Sequence, residues 1–226
     1  MTGIVRSGKR TVAIRRLLRC GTWAGPVFAA TFVAEGAVRE DYRPLRHPVS
    51  SLALGPRGWV QTANFALTGA LCLAGAAGLR LAGDRMAGSR PGSALVAAAG
   101  VGLIGSAAFP TDPIGGYPSG TPDVPAELSA VGTAHSLAAI PVFFGLPAAA
   151  LSYGWGSWRA EKRPGFVVYC AATAVAMPVT MMLAGAGFSQ SPRLAGYGGL
   201  LQRASIVTGF AWLAAVSARA LRRTHC

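Results

Sequence analysis

K-R-P-G-F-V-V-Y-C-A-A-T-A-V-A-M-P-V-T-M-M-L-A-G-A-G-F-S-Q (162–190) carries no charged side chain after Arg163. One helical crossing of a bilayer needs about 20 apolar residues, and this stretch supplies them. Lys162 and Arg163 close one end, with Arg159 just before them. Outward from here, long Gly/Ala-rich apolar runs alternate with short polar ones along the whole chain. The pattern predicts six membrane-crossing helices, at roughly 20–38, 58–80, 93–110, 131–152, 165–187 and 199–219. The expected fold is therefore all-α, a polytopic six-transmembrane-helix bundle with both termini on one side.

The charges divide sharply between the two sides. The side of the termini, with the second and fourth connections, holds Arg6, Lys9, Arg10, Arg15, Arg16, Arg19, Arg80, Arg85, Arg90, Arg159, Lys162, Arg163, Arg219, Arg222 and Arg223 against only Asp84 and Glu161. The opposite side holds as many acids as bases, so the whole net charge of +13 falls on the first. Lys/Arg-rich loops are retained in the cytoplasm, so both termini are expected to be cytoplasmic. The expected location is a bacterial cytoplasmic membrane. The Gly/Ala/Arg-rich composition points to a high-GC bacterium.

Charged residues make up 13% of the chain and hydrophobic ones 52%, against about 25% charged in soluble proteins. So few charges cannot cover a soluble surface. A pI near 11.0 would suggest nucleic acid in a soluble protein. Here retention of basic loops explains it, no basic stripe interleaved with aromatics is present, and no nucleic-acid partner is expected. The basic face should attract anionic lipid headgroups. Three segments follow: a basic amphipathic stretch, 1–19, whose T-V-A-I-R-R-L-L-R (11–19) is expected along the inner interface; the six-helix domain, 20–220; and a short tail, 221–226. The apolar run from Cys20 reads as an uncleaved signal-anchor reaching Val38. Cys20 and Cys226 fall at cytoplasmic ends and Cys72 and Cys170 within helices, so no disulfide framework is expected.

The connections opposite the termini are long, and the second holds Pro110, Pro113, Pro118, Pro122 and Pro125, which favours a fixed extended path. Polar residues within the spans gather at this same end. Gln61, Asn64, Thr68 and Cys72 recur at helical spacing on one face of the second span, and Gln202 and Ser205 open the sixth. Amides are costly in lipid, so these faces should point inward. The functional expectation is an outer polar pocket. Its ligand-binding candidates are Arg57, Trp59, Gln61, Asn64, His135, Gln202 and Arg203, and its catalytic candidates are the carboxylic acids Asp112, Glu35 and Asp41. The competing expectation is structural: hydrogen bonds between helices, and salt bridges such as Arg57 or Arg203 with Asp112, that tie the loops to the bundle.

Named chemistries find little support. His47 lies between Arg46 and Pro48 in a loop, which does not suit a bis-histidine haem. His135 with Asp112 and Glu35 or Asp41 lacks the local spacing of a metal site. No G-x-S-x-G occurs, and G-V-G-L-I-G (100–105) lies within a helix, where it reads as close helix packing. Neither a metal nor a cofactor is expected.

D-Y-R-P-L-R-H-P-V-S-S-L-A-L-G-P-R-G-W-V-Q-T-A-N-F-A-L-T-G (41–69), F-P-T-D-P-I-G-G-Y-P-S-G-T-P (109–122) and G-T-A-H-S-L-A-A (132–139) resemble the bacterial integral-membrane family called domain of unknown function 998. The resemblance runs over roughly 20–220 and implies a six-helix membrane protein. It supplies no catalytic residue.

Three classes of function remain open. The first is a non-enzymatic membrane component whose outer pocket binds a lipid, an apolar small molecule or a helix-packing protein partner. The second is an intramembrane enzyme acting on an isoprenoid or lipid, such as a membrane-bound terpene cyclase. There a carboxyl raised in pKa by apolar surroundings serves as general acid, and Trp59, Phe65, Tyr117 and Trp212 line the pocket. The third is a small-solute transporter, against which stands the lack of any charge at a span centre.

Overall fold

The computed structural model describes residues 2–83 and 88–224. Asp84, Arg85, His225 and Cys226 lie outside the described residues, as do the side chains of Arg6 and Ser89. The chain is all-helical: α1 (Thr2–Val38), a 3₁₀ turn (Val49–Ala53), α2 (Gly58–Leu81), α3 (Ser89–Ala108), α4 (Ala130–Ile140), a π turn (Pro141–Gly145), α5 (Leu146–Ala160), α6 (Pro164–Phe188) and α7 (Gly198–Arg223). The segment Ala130–Ala160 acts as one span, which gives six helices among the described residues long and apolar enough to cross a membrane. Among the described residues the only extended pairing is an isolated bridge between Ile114 and Tyr117.

The spans form a closed ring. α1 packs on α2 and α7, α2 on α3, α3 on α4 and α5, α5 on α6, and α6 on α7. Without a hydrophobic drive between helices in lipid, close backbone approach through small residues holds such a ring together. A Cβ at Gly75 would lie 2.7 Å from the Cα of Gly21 on α1, and one at Gly69 would lie 2.7 Å from the carbonyl oxygen of Gly100 on α3. Gly105, the last glycine of G-V-G-L-I-G, faces the Ala138 methyl in the same way. The ring is filled by Phe28, Leu79, Leu146, Tyr153, Met177, Trp212 and Leu213.

Two spans depart from expectation. The basic stretch 11–19 is not a separate helix, because α1 runs unbroken through it and Leu18 is fully buried against Gly78 of α2. Nothing in 9–19 stops a helix, since neither proline nor glycine occurs there. The fourth span is longer than 131–152 and carries the π turn at its middle. Pro141 opens that turn and Pro147 follows it, each removing a backbone donor that regular α pairing needs. Trp155 and Trp158, expected in a connection, lie on the last turns of α5.

Candidate functional site

Connections 39–57, 109–129 and 189–197 share one end of the ring, called here the loop face; the termini occupy the other. The first connection folds over the start of α7. There the Gly199 and Leu200 N–H groups, orphaned by the helix geometry, donate to the carbonyls of Arg46 (3.0 Å) and Leu45 (2.9 Å). Gly199 is needed, since a Cβ there would lie 2.5 Å from the Pro44 oxygen. Arg203 reaches up from α7 to the Pro44 and His47 carbonyls and donates to the Tyr42 hydroxyl at 2.5 Å. Tyr42 in turn donates to the Pro48 oxygen at 2.8 Å. Burial pushes the Tyr42 phenol up from its ordinary pKa, and the neighbouring Arg203 partly offsets this.

His47 joins the first connection to the second. Its Nδ1 accepts from the Arg43 N–H at 3.0 Å, so Nε2 carries the proton and donates to the Gly115 oxygen at 3.1 Å. The ring sits between Tyr42 and Tyr117, with centroids 5.5 and 5.3 Å away. Burial holds its pKa below the ordinary histidine value, and Arg46, Arg43 and Arg203 act the same way, against the opposing Gly115 hydrogen bond. Arg39 is the second hub. Its guanidinium donates to the carbonyls of Leu54 (2.7 Å) and Leu52 (2.8 Å) and to Glu35 (3.4 Å), with only 7% of the side chain exposed.

The anticipated pairing of Asp112 with Arg57 or Arg203 does not occur. Arg57 binds Glu35 at 2.5 Å, Arg203 is taken by backbone carbonyls and Tyr42, and Asp112 accepts from the N–H (2.9 Å) and hydroxyl (2.7 Å) of Ser129. Ser129 is the N-cap of α4 and accepts from the Gly132 N–H, so Asp112 braces a helix start. Asp41, at φ 56°, accepts from the Ser119 hydroxyl at 2.6 Å. Asp123 pairs with Arg46 at 2.5 Å. Sequence reasoning found the charges and missed the partners, because partner choice depends on loop paths that no local pattern encodes.

Beneath the loops lies a partly open cavity of about 280 Å³. The helix split creates it. α5 packs on α3, α6 and α7, whereas α4 packs on α3 and makes no substantial contact with α6 or α7. The π turn is where the span changes from one behaviour to the other. Met181 and Phe188 of α6 and Ile206 of α7 form one wall, Ala139 and Ile140 of α4 the opposite one, and Phe28, Phe65 and Leu103 the back. Pro48 and Val49 of the first connection and Ile114 of the second form its roof.

Of the ten candidate residues, the cavity brings together His135 and Gln202. The His135 Nδ1–H donates to the Phe109 oxygen at 2.7 Å, and its ring meets Phe65 edge to face. Gln202 accepts at Oε1 from the Val49 N–H at 2.8 Å. Asp112, Glu35, Asp41, Arg57 and Arg203 belong to the loop framework and do not line the cavity. Gln61 and Asn64 are buried beside α1, where the Asn64 amide donates to Gln61 Oε1 (3.2 Å) and to the Phe28 oxygen (3.2 Å). Trp59 is 70% exposed and does not line the cavity. Of the other aromatics expected to line it, Phe65 does, Tyr117 meets Tyr42 edge to face and lies tilted against His47, and Trp212 packs on Tyr153 in the ring centre. Arg39, Tyr42 and His47 went unrecognised as framework residues although all three lie in or beside 41–69, and Ser106, Met181 and Phe188 gave no signal beyond generic membrane helix.

No curated protein and no solved structure matches the chain. One family model matches, described as a protein of unknown function (DUF998), over residues 22–219. That match runs from within the first span through nearly all of the last, so the chain is a multi-pass membrane member of the DUF998 family of proteins of unknown function.

Proposed function

We propose that this protein is a non-enzymatic binding component of a bacterial cytoplasmic membrane, its loop face outward, holding an apolar ligand or lipid chain in the cavity beside α4. The cavity itself carries the reading. It has walls of aliphatic and aromatic side chains with a few polar groups, the usual make-up of a small-molecule site. It is partly open and lined from both α4 and α6, two helices that make no substantial contact with each other. Binding is favoured over acid catalysis by the positions of Asp112, Glu35 and Asp41, none of which reaches the apolar surface where such an acid would act. The basic terminal face, with exposed Trp155 and Trp158 beside Arg159, suits contact with anionic headgroups of the inner leaflet.

The test is to purify the protein in mild detergent, extract what remains bound and identify it by mass spectrometry. Ala139→Phe places a ring in the cavity and should abolish retention of the lipid found with the unmodified protein. A wild-type protein that retains no lipid, or an Ala139→Phe variant that retains as much, would overturn the reading.

A further inference from the structure

We infer that the cavity selects a neutral amphiphile, one apolar chain bearing a hydrogen-bond-accepting carbonyl oxygen, of the ester or ketone class. The inference rests on the binding reading above and concerns what the site recognises. Gln202 is 93% buried, since 7% of it is exposed, and it lines the cavity. Its oxygen is occupied by the Val49 N–H, whereas its NH₂ group makes no hydrogen bond among the described residues and keeps some accessible surface. Ser106, 4% exposed, also lies on the cavity wall. An amide NH₂ can only donate. A donor on an apolar cavity wall gains an acceptor only from what enters the cavity. The complementary group on a ligand is therefore an oxygen with free lone pairs.

Two further observations narrow the class. Among the described residues no Asp, Glu, Lys or Arg lines the cavity, so a carboxylate or phosphate drawn inside would lack a counter-charge, and burying an unpaired charge is far costlier than burying a carbonyl. The volume of about 280 Å³ is at the small end for ligand sites. It suits one chain with its carbonyl, not the whole body of a two-chain lipid.

The experiment measures displacement of radiolabelled methyl palmitate from the full-length protein in detergent at pH 8, with partition into protein-free micelles subtracted. The competitors are hexadecane, which has the chain without the carbonyl, and palmitate, which carries a charge. One hydrogen bond to a buried donor predicts that hexadecane competes about three- to tenfold more weakly than the ester, and palmitate should be weaker than the ester too. Gln202→Leu should bring ester and hexadecane to equal affinity. Because that change also removes the Val49 contact, the wild-type ratios decide if the variant does not fold. Equal affinity for ester and hexadecane in the wild type, with both reduced in Ala139→Phe, overturns the inference and leaves the cavity reading standing. Ala139→Phe with no effect on either overturns both. Palmitate binding as tightly as its ester overturns the neutral class.

Discussion

The two ends of the bundle use arginine in opposite ways. On the loop face Arg39 and Arg203 are drawn into the protein, where each satisfies several carbonyl oxygens of the first connection. On the terminal face Arg19, Arg90, Arg159 and Arg163 stand exposed. The ion-paired tie there is Glu161, which accepts from Arg219 and from Arg223. Burial alone would raise the Glu161 pKa, but the two guanidinium groups outweigh it and hold the carboxyl below its ordinary range. The lesson is one of geometry. A short turn between antiparallel helices leaves few backbone groups unpaired, whereas a connection of some twenty residues leaves many, and a five-donor guanidinium can answer several at once. The same side chain is a framework element at one end and an electrostatic label at the other.

The first way to break this comparison is to ask which end faces the cytoplasm, and its outcome is all or none. In an otherwise cysteine-free chain, an impermeant maleimide on intact cells should label Ser119→Cys on the loop face and leave Arg163→Cys unlabelled. The reverse pattern would mean that the basic end is external. The next effect is on stability. Arg39→Met leaves the Leu52 and Leu54 carbonyls without their donor, at about 1–3 kcal/mol each, while Glu35 keeps Arg57. Arg159→Ala on the exposed face should change stability by about 0.5 kcal/mol or less. Thermal unfolding in detergent measures both, and equal shifts would erase the distinction between the ends. The smallest effect depends on pH. The His47 pKa is lowered in the folded state, so its contribution is complete above the unfolded value of about 6.5 and is lost as pH falls through the lower folded value. Protonation would place a second N–H against the Arg43 N–H. Melting temperature should therefore decline on acidification below about pH 6.5, and His47→Gln should flatten that decline. An unchanged slope would show that His47 does not couple the first two connections.

What could be read from the sequence follows the same division. The six spans and the charge asymmetry were legible because bilayer thickness and loop retention act on whole segments. His135 and Gln202 were legible as inward-facing groups because a polar side chain in lipid has little choice of direction. The error at Trp59 has the same origin, since tryptophan is tolerated at an interface and its type does not fix its direction. The partners of Arg57, Arg203 and Asp112 were not legible, because each depends on how a long connection returns over the bundle. The cavity was not legible either. It depends on α4 standing off from α6, and hence on a change of helix type within an apolar run that periodicity treats as uniform.

That change of helix type has a consequence for phase. An α-helix advances about 100° per residue, and a π turn takes in one residue more than the α pattern allows. Above and below Pro141–Gly145 the 31 residues of Ala130–Ala160 are therefore two helical wheels set out of step. A stripe drawn through Tyr153 and Leu146 does not continue onto His135 at the regular interval. Removing one residue from the turn would bring the wheels back into step and rotate His135, Ser136 and Ala139 off the cavity wall together, with no change to any of them. The cavity-facing surface of α4 is thus written as a one-residue offset, in a segment that itself contributes little polar chemistry.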